Sequence, residues 1–177
     1  MQTVKIVVSG ATGAGKSQFI STISADAVVS TERRAIDETR LLNKETTVAI
    51  DFGRVLIASD LMLHLFGLPG RHRFDFMWEI LADGVLGLVI LVDSTRPETF
   101  RETIEIVQFF NHLRAAPYMI VANKQDQPTA WSPDELRHAL RLPDHVPILP
   151  CVATQRDRCN DVLLELLAEM FAPAPHG

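Results

Sequence analysis

The chain has 177 residues, 47% hydrophobic and 22% charged, a balance that excludes disorder as the dominant state and suits one globular domain with a full core. Its 22 acidic residues outnumber 17 basic ones, giving a net charge of -5; this argues against non-specific nucleic-acid binding, which needs a basic face to neutralise phosphates. Two cysteines, Cys151 and Cys159, make neither a disulfide framework nor a paired metal-ligand spacing, and suit a reducing cytoplasm.

The N-terminal stretch MQTVKIVV lacks a signal-peptide layout, and the longest apolar run, GVLGLVILV over 84–92, is too short to span a bilayer. Gln2 excludes N-myristoylation and the terminal APAPHG carries no prenylation signal, so no direct membrane anchor is expected.

Apolar β-branched runs then alternate with stretches of helical period, the signature of βαβ units. VKIVVS over 4–9 reads as a buried strand; a glycine turn follows, then a helix with Phe19, Ile20 and Ile23 on one face. Residues 25–46 include STERRAIDETRLLNKET, too charged for a core, and read as a surface loop. TVAIDFGRVLIA (47–58) and LMLHLFG (61–67), separated by Ser59 and Asp60, read as an antiparallel hairpin. GLVILVD (87–93), YMIVANK (118–124) and VPILPCV (146–152) read as parallel strands with polar carboxyl ends, where α/β sheets place their sites. Helices are expected over 96–113, with Pro97 near the start; over 132–141, with Ser132 as N-cap and Pro133 first; and over 158–171. With no repeat or linker in between, residues 1–171 read as one domain and 172–177 as a flexible tail.

Residues 10–17, GATGAGKS, fit Gly-x-x-x-x-Gly-Lys-Ser. Glycines let the backbone wrap an anion so that successive N–H groups point at a β-phosphate. Lys16 would bridge the β- and γ-phosphates, Ser17 would offer a hydroxyl to Mg²⁺, and the following helix would aim its positive end at the phosphates. The plainer reading is a strand-to-helix turn with an incidental Lys-Ser pair.

The base is read elsewhere, in NKQD over 123–126. A carboxylate at Asp126 can accept hydrogen bonds from N1 and N2 of guanine, whereas adenine presents no such donor pair. Lys124 would lay its stem over the base, and Asn123 would tie this loop to the phosphate turn. In CVAT (151–154), the Ala153 N–H could meet guanine O6. Asp93, after VILV, reads as a cap for the next helix. His64 and His72 have no companions at metal-ligand spacing. Phe74, Met77 and Trp78 in RHRFDFMWEIL (71–81) suit an amphipathic helix, with a partner-binding patch as the sharper reading. Arg33, Arg34 and Arg40 suit a solvated face.

The order of phosphate turn, charged loop, hairpin, Pro-Gly turn, NKQD and VAT resembles the Ras-like small GTPases over essentially the whole chain. TTVAIDFGRV (46–55) and LHLFGLPGRHRFDFMWEIL (63–81) are similar to the prokaryotic branch, the MglA-type gliding GTPases and those encoded beside Roadblock-domain proteins. The resemblance implies a three-layer P-loop NTPase fold with a mostly parallel six-stranded sheet and one antiparallel strand pair. It also implies GTP or GDP bound with Mg²⁺, a conformational switch, and a Roadblock-type regulator or other cytoplasmic protein as partner. The nucleotide-binding residues would be Gly10, Gly13, Ala14, Gly15, Lys16, Ser17 and Gln18, then Thr47 and Gly70, then Asn123, Lys124, Asp126, Ala153 and Thr154. Ser17 and Thr47 would hold the metal, with Thr46 the alternate to Thr47; Lys16 and Arg71 are the candidate catalytic cations.

The chain departs from the family at three places. Gly67 stands where the second switch usually has an aspartate, and Asp51, on the neighbouring strand, could replace it at the metal. Arg71 stands where a glutamine usually orients the attacking water; its cation could stabilise charge on the transferred phosphoryl group instead. Thr46 stands where the gliding GTPases carry an arginine. These departures predict slow hydrolysis without a partner and leave a second reading, a pseudo-GTPase scaffold. A P-loop metabolite kinase would leave NKQD unexplained.

Overall fold

The computed structural model describes residues 1–24, 29–34, 47–68, 83–113 and 116–172, with 29–34 and 47–50 described by their backbone alone. The sheet is built around β1 (Gln2–Gly10), which pairs in parallel with β4 (Leu61–Gly67) on one side and β5 (Val85–Asp93) on the other. Beyond β5 lie β6 (Tyr118–Asn123) and β7 (Ile148–Pro150), both parallel; beyond β4 lie β3 (Thr47–Ala58) and β2 (Val29–Arg34), both antiparallel. The order is β2-β3-β4-β1-β5-β6-β7.

The expected six strands are all present. The seventh, β2, corrects the reading of 25–46 as a surface loop throughout. Val29 to Arg34 pair with Phe52 to Thr47, and that ladder satisfies the β3-facing backbone groups of a segment with no apolar face of its own. Charged residues such as Glu32, Arg33 and Arg34 are what an edge strand tolerates. Residues 25–28 and 35–46 fall outside the described ones.

Strand alternation separates the core into two clusters, one on each face of the sheet. Ile6, Val8, Val89 and Leu91 meet Phe19, Ile20 and Ile23 of α1 (Lys16–Ile23) and Val162, Leu163 and Leu166 of α4 (Arg156–Phe171). Val7, Leu88, Ile90 and Val92 meet Ile106 and Phe110 of α2 (Phe100–Leu113) and Leu136 of α3 (Pro133–Ala139). Helix, sheet and helix make the three layers. Each fully buried Phe or Ile on α1 contributes about 1.5–3 kcal/mol by area. α1 presses so closely on β3 that a methyl at Gly53 would meet Ser24 Oγ at 2.1 Å.

The helix boundaries have local causes. A 3₁₀ turn over Pro97–Thr99 leads into α2. Ser132 caps α3 through a capping box with Glu135, with Pro133 in the first turn. Both cysteines are free and buried. No helix among the described residues is long and apolar enough to cross a membrane.

Candidate functional site

Four loops converge at the carboxyl edge of β1, β5, β6 and β7. In the first, Gly10 has φ 148°, Gly13 φ 80° and Gly15 φ 103°, so the chain turns through conformations that side chains resist. Space demands glycine as well: a methyl at Gly10 would stand 2.4 Å from Leu91 O, and one at Gly15 2.4 Å from Asn123 Nδ2. Gly15 caps α1 without a side-chain hydrogen bond, and the first turn holds no acidic residue. The helix therefore offers its free N–H groups and positive end to an anion.

Lys16 folds back over the turn, its Nζ donating to Gly10 O at 2.7 Å and Ala11 O at 2.9 Å. Burial pushes its ammonium down to about 8, against the opposing pull of Glu102 and Asp51. A desolvated cation across a ring of N–H donors favours a multiply charged anion, whose charge would replace those carbonyl partners.

Asn123 braces the site. It is 2% exposed, donates Nδ2 to Ala14 O at 2.9 Å and accepts from Ala153 N at 2.9 Å, so one amide joins the glycine turn, the end of β6 and the loop after β7. Thr22 Oγ1 fastens Ala153 from α1, donating to its carbonyl at 2.6 Å. Between these loops lies a cavity of about 230 Å³, lined by Gly15, Gln18, Lys124, Asp126, Ala153 and Thr154, among others. Asp126 is exposed at its edge, where its Oδ2 accepts from Gln127 Nε2 at 3.2 Å.

Asp93 corrects its sequence reading. The residue capping the following turn is Arg96, and Asp93 instead accepts from Thr95 N and Oγ1 at 3.0 and 2.6 Å and from Lys124 Nζ at 2.5 Å. Burial alone would raise its carboxyl, but the bond from Lys124 and those from Thr95 outweigh it and hold the group below its ordinary value. The ionised Asp93 thus fixes the Lys124 stem, which leaves the strand at φ 64°. Gln125 adds a second tie, donating to Ser94 Oγ and Trp131 O, both at 2.9 Å. The Lys124–Asp93 and Gln125–Ser94 contacts were not legible in the sequence, because each joins residues 31 apart.

Ser17 and Asp51 also meet, the Ser17 hydroxyl donating to Asp51 Oδ2. Asp51 and Gly67 are paired across β3 and β4, and a methyl on Gly67 would stand 3.5 Å from Asp51 Oδ2. The carboxylate thus fills the space beside that glycine. A hydroxyl and a carboxylate are hard oxygen donors that fit Mg²⁺, a metal that completes its shell with water and substrate phosphates. No cluster of three or more His, Cys, Asp or Glu suited to a metal occurs among the described residues. Of the other predicted residues, Thr47 opens β3 opposite Arg34 and only its backbone is described. Thr46, Gly70, Arg71 and the expected helix over 71–81 lie outside the described residues.

The sequence profile of the ADP-ribosylation factor family matches residues 1–170. The chain belongs to that family of small GTPases. Arf-family proteins are GTP-binding switches. Among relatives, an uncharacterized protein of Methanocaldococcus jannaschii is 32% identical over 70% of this chain and 71% of its own. The mutual gliding-motility protein MglA of Myxococcus xanthus is 29% identical over 60% of each chain. The Arl6 BBS3 small GTPase of Trypanosoma brucei, solved with the nucleotide analogue GppNp, superposes with a TM-score of 0.70 over 96% of this chain and 98% of its own, at 17% identity. That likeness bears on the fold.

Proposed function

We propose that this Arf-family protein is a guanine-nucleotide switch that binds GTP and GDP with Mg²⁺ and hydrolyses GTP slowly until a partner accelerates it. The observation that carries the reading is the Asn123 brace, which sets the phosphate turn and the Asp126 loop around one cavity. Phosphates would sit on the glycine turn against Lys16, and guanine between Lys124 and Ala153 with its N1 and N2 donors on Asp126. Ser17 and Asp51, with Thr47 from the start of β3, would hold the metal, whose positive charge offsets that of the phosphates.

Slow hydrolysis follows from chemistry: Arg71 is no neutral amide for positioning water, and Thr46 supplies no arginine. These same residues favour the second reading, a scaffold that holds nucleotide without turning it over. Within the family we place the chain with the MglA-type prokaryotic GTPases, supported by its Pro69-Gly70 sequence and by the MglA relative. In that placement it is a single-domain, cytoplasmic protein whose partner is a Roadblock-type regulator rather than nucleic acid or a lipid surface.

The test is calorimetric titration of nucleotide-free protein with GDP, GTP and ATP in Mg²⁺, followed by single-turnover phosphate release. Guanine-selective binding with slow release is expected. Binding without release would install the scaffold reading, and ATP preference would overturn the role of Asp126.

A further inference from the structure

Gly13 is flanked by two cations. Lys124 Nζ approaches its carbonyl at 3.4 Å, and a methyl on its Cα would stand 3.3 Å from Arg96 Nη1. The two are differently committed. Lys124 is held by the buried Asp93. Arg96 makes one described ion pair, Nε to Glu98 Oε1 at 3.0 Å, and about half of its side chain is in water at 49% exposure.

Its backbone, by contrast, is pinned. The Arg96 N–H donates to Asp93 O at 3.2 Å, and its carbonyl accepts from Thr99 N at 2.9 Å and Thr99 Oγ1 at 2.8 Å. Pro97 stiffens the step that follows. The side chain thus starts from a fixed point, Glu98 occupies the Nε edge of the fork, and the Nη edge faces the glycine turn. A planar guanidinium presents parallel donors that match phosphate oxygens, and it keeps its charge at every accessible pH.

We infer that Arg96 is a phosphate-binding residue of this site, its guanidinium reaching over Gly13 to the phosphate chain of the nucleotide and adding a second cation to Lys16. The inference rests on the proposed nucleotide reading and names one more residue that reads the nucleotide's charge. No part of the Gly-x-x-x-x-Gly-Lys-Ser pattern points to it, because Arg96 comes from the loop after β5.

The experiment compares the wild type with Arg96→Ala and Arg96→Lys, measuring dissociation constants for GDP, GTP and guanosine by competition against a fluorescent GDP at low and high salt. Loss of a charge-assisted contact should weaken GDP and GTP about tenfold at low salt. The loss should shrink at high salt, leave guanosine unchanged, and be partly restored by lysine. An alanine variant with wild-type affinity for GDP would overturn the inference. So would equal loss of guanosine binding, which would mark Arg96 as a prop for the loop. A wild type that binds no guanine nucleotide would instead defeat the underlying reading.

Discussion

Removing the Asn123 amide tests the site's architecture without presuming any ligand. Asn123→Ala strips Ala14 O and Ala153 N of their partners, both at 2.9 Å and both under a side chain only 2% exposed. An orphaned buried group costs about 1–3 kcal/mol. Water reaching the groups through the adjoining cavity would relieve part of the cost, so the net loss is placed at about 2–4 kcal/mol. For a chain of this size each kcal/mol moves the melting temperature by roughly 2–4 °C, so a fall of about 4–16 °C is expected. Differential scanning calorimetry of nucleotide-free protein reads it directly. The same variant should release fluorescent GDP at least about tenfold faster, because one brace positions both the turn and the base loop. A melting temperature within about 2 °C of wild type, with unchanged GDP release, would refute the reasoning.

Asp51→Asn should weaken Mg²⁺ in the GDP complex at least about tenfold, read by magnesium titration of GDP release; an unchanged midpoint would remove Asp51 from the metal. Lys16 is lowered to about 8 in the free protein, and bound phosphates restore its proton, so nucleotide binding takes up a proton above that pH. GDP affinity should fall about tenfold from pH 7 to pH 9 in wild type and much less in Lys16→Arg, measured calorimetrically; equal slopes would contradict a titrating Lys16. Asp126→Asn should shift preference away from guanine, and unchanged GTP affinity would count against that assignment.

What the sequence disclosed followed from local pattern. β3 and β4 occur at 47–58 and 61–67 as expected, because alternation and the Ser59-Asp60 turn define both ends. β7 shrinks to Ile148–Pro150 from an expected 146–152, since proline gives no N–H to the ladder. β2 escaped because a charged edge strand has no apolar face, and its evidence is the ladder to β3, which no local window contains. Asp93 was misread for a related reason. A carboxylate after a strand suits an N-cap, and only the fold reveals that Lys124 reaches it. The phosphate turn and NKQD were legible as motifs, but Arg96 belongs to neither.

Gly67 and Asp51 are sterically coupled across the ladder. A side chain at 67 would have to start 2.9 Å from Ile20 Cδ1 and 3.1 Å from Asp51 Cβ, so the position is closed by the helix on one side and the neighbouring strand on the other. Antiparallel partners on one face stand close enough for one side chain to cover the ground of the other. Asp51 stands opposite Gly67 in the ladder, so a carboxylate already bonded to Ser17 lies one strand over from the position where the family pattern has an aspartate. An aspartate at 67 could not simply be added: two carboxylates would then compete for one space and repel. Glycine at 67 is therefore the steric condition for Asp51 to stand where it does, and under the proposed metal role of Asp51 the altered motif would be a relocated carboxylate.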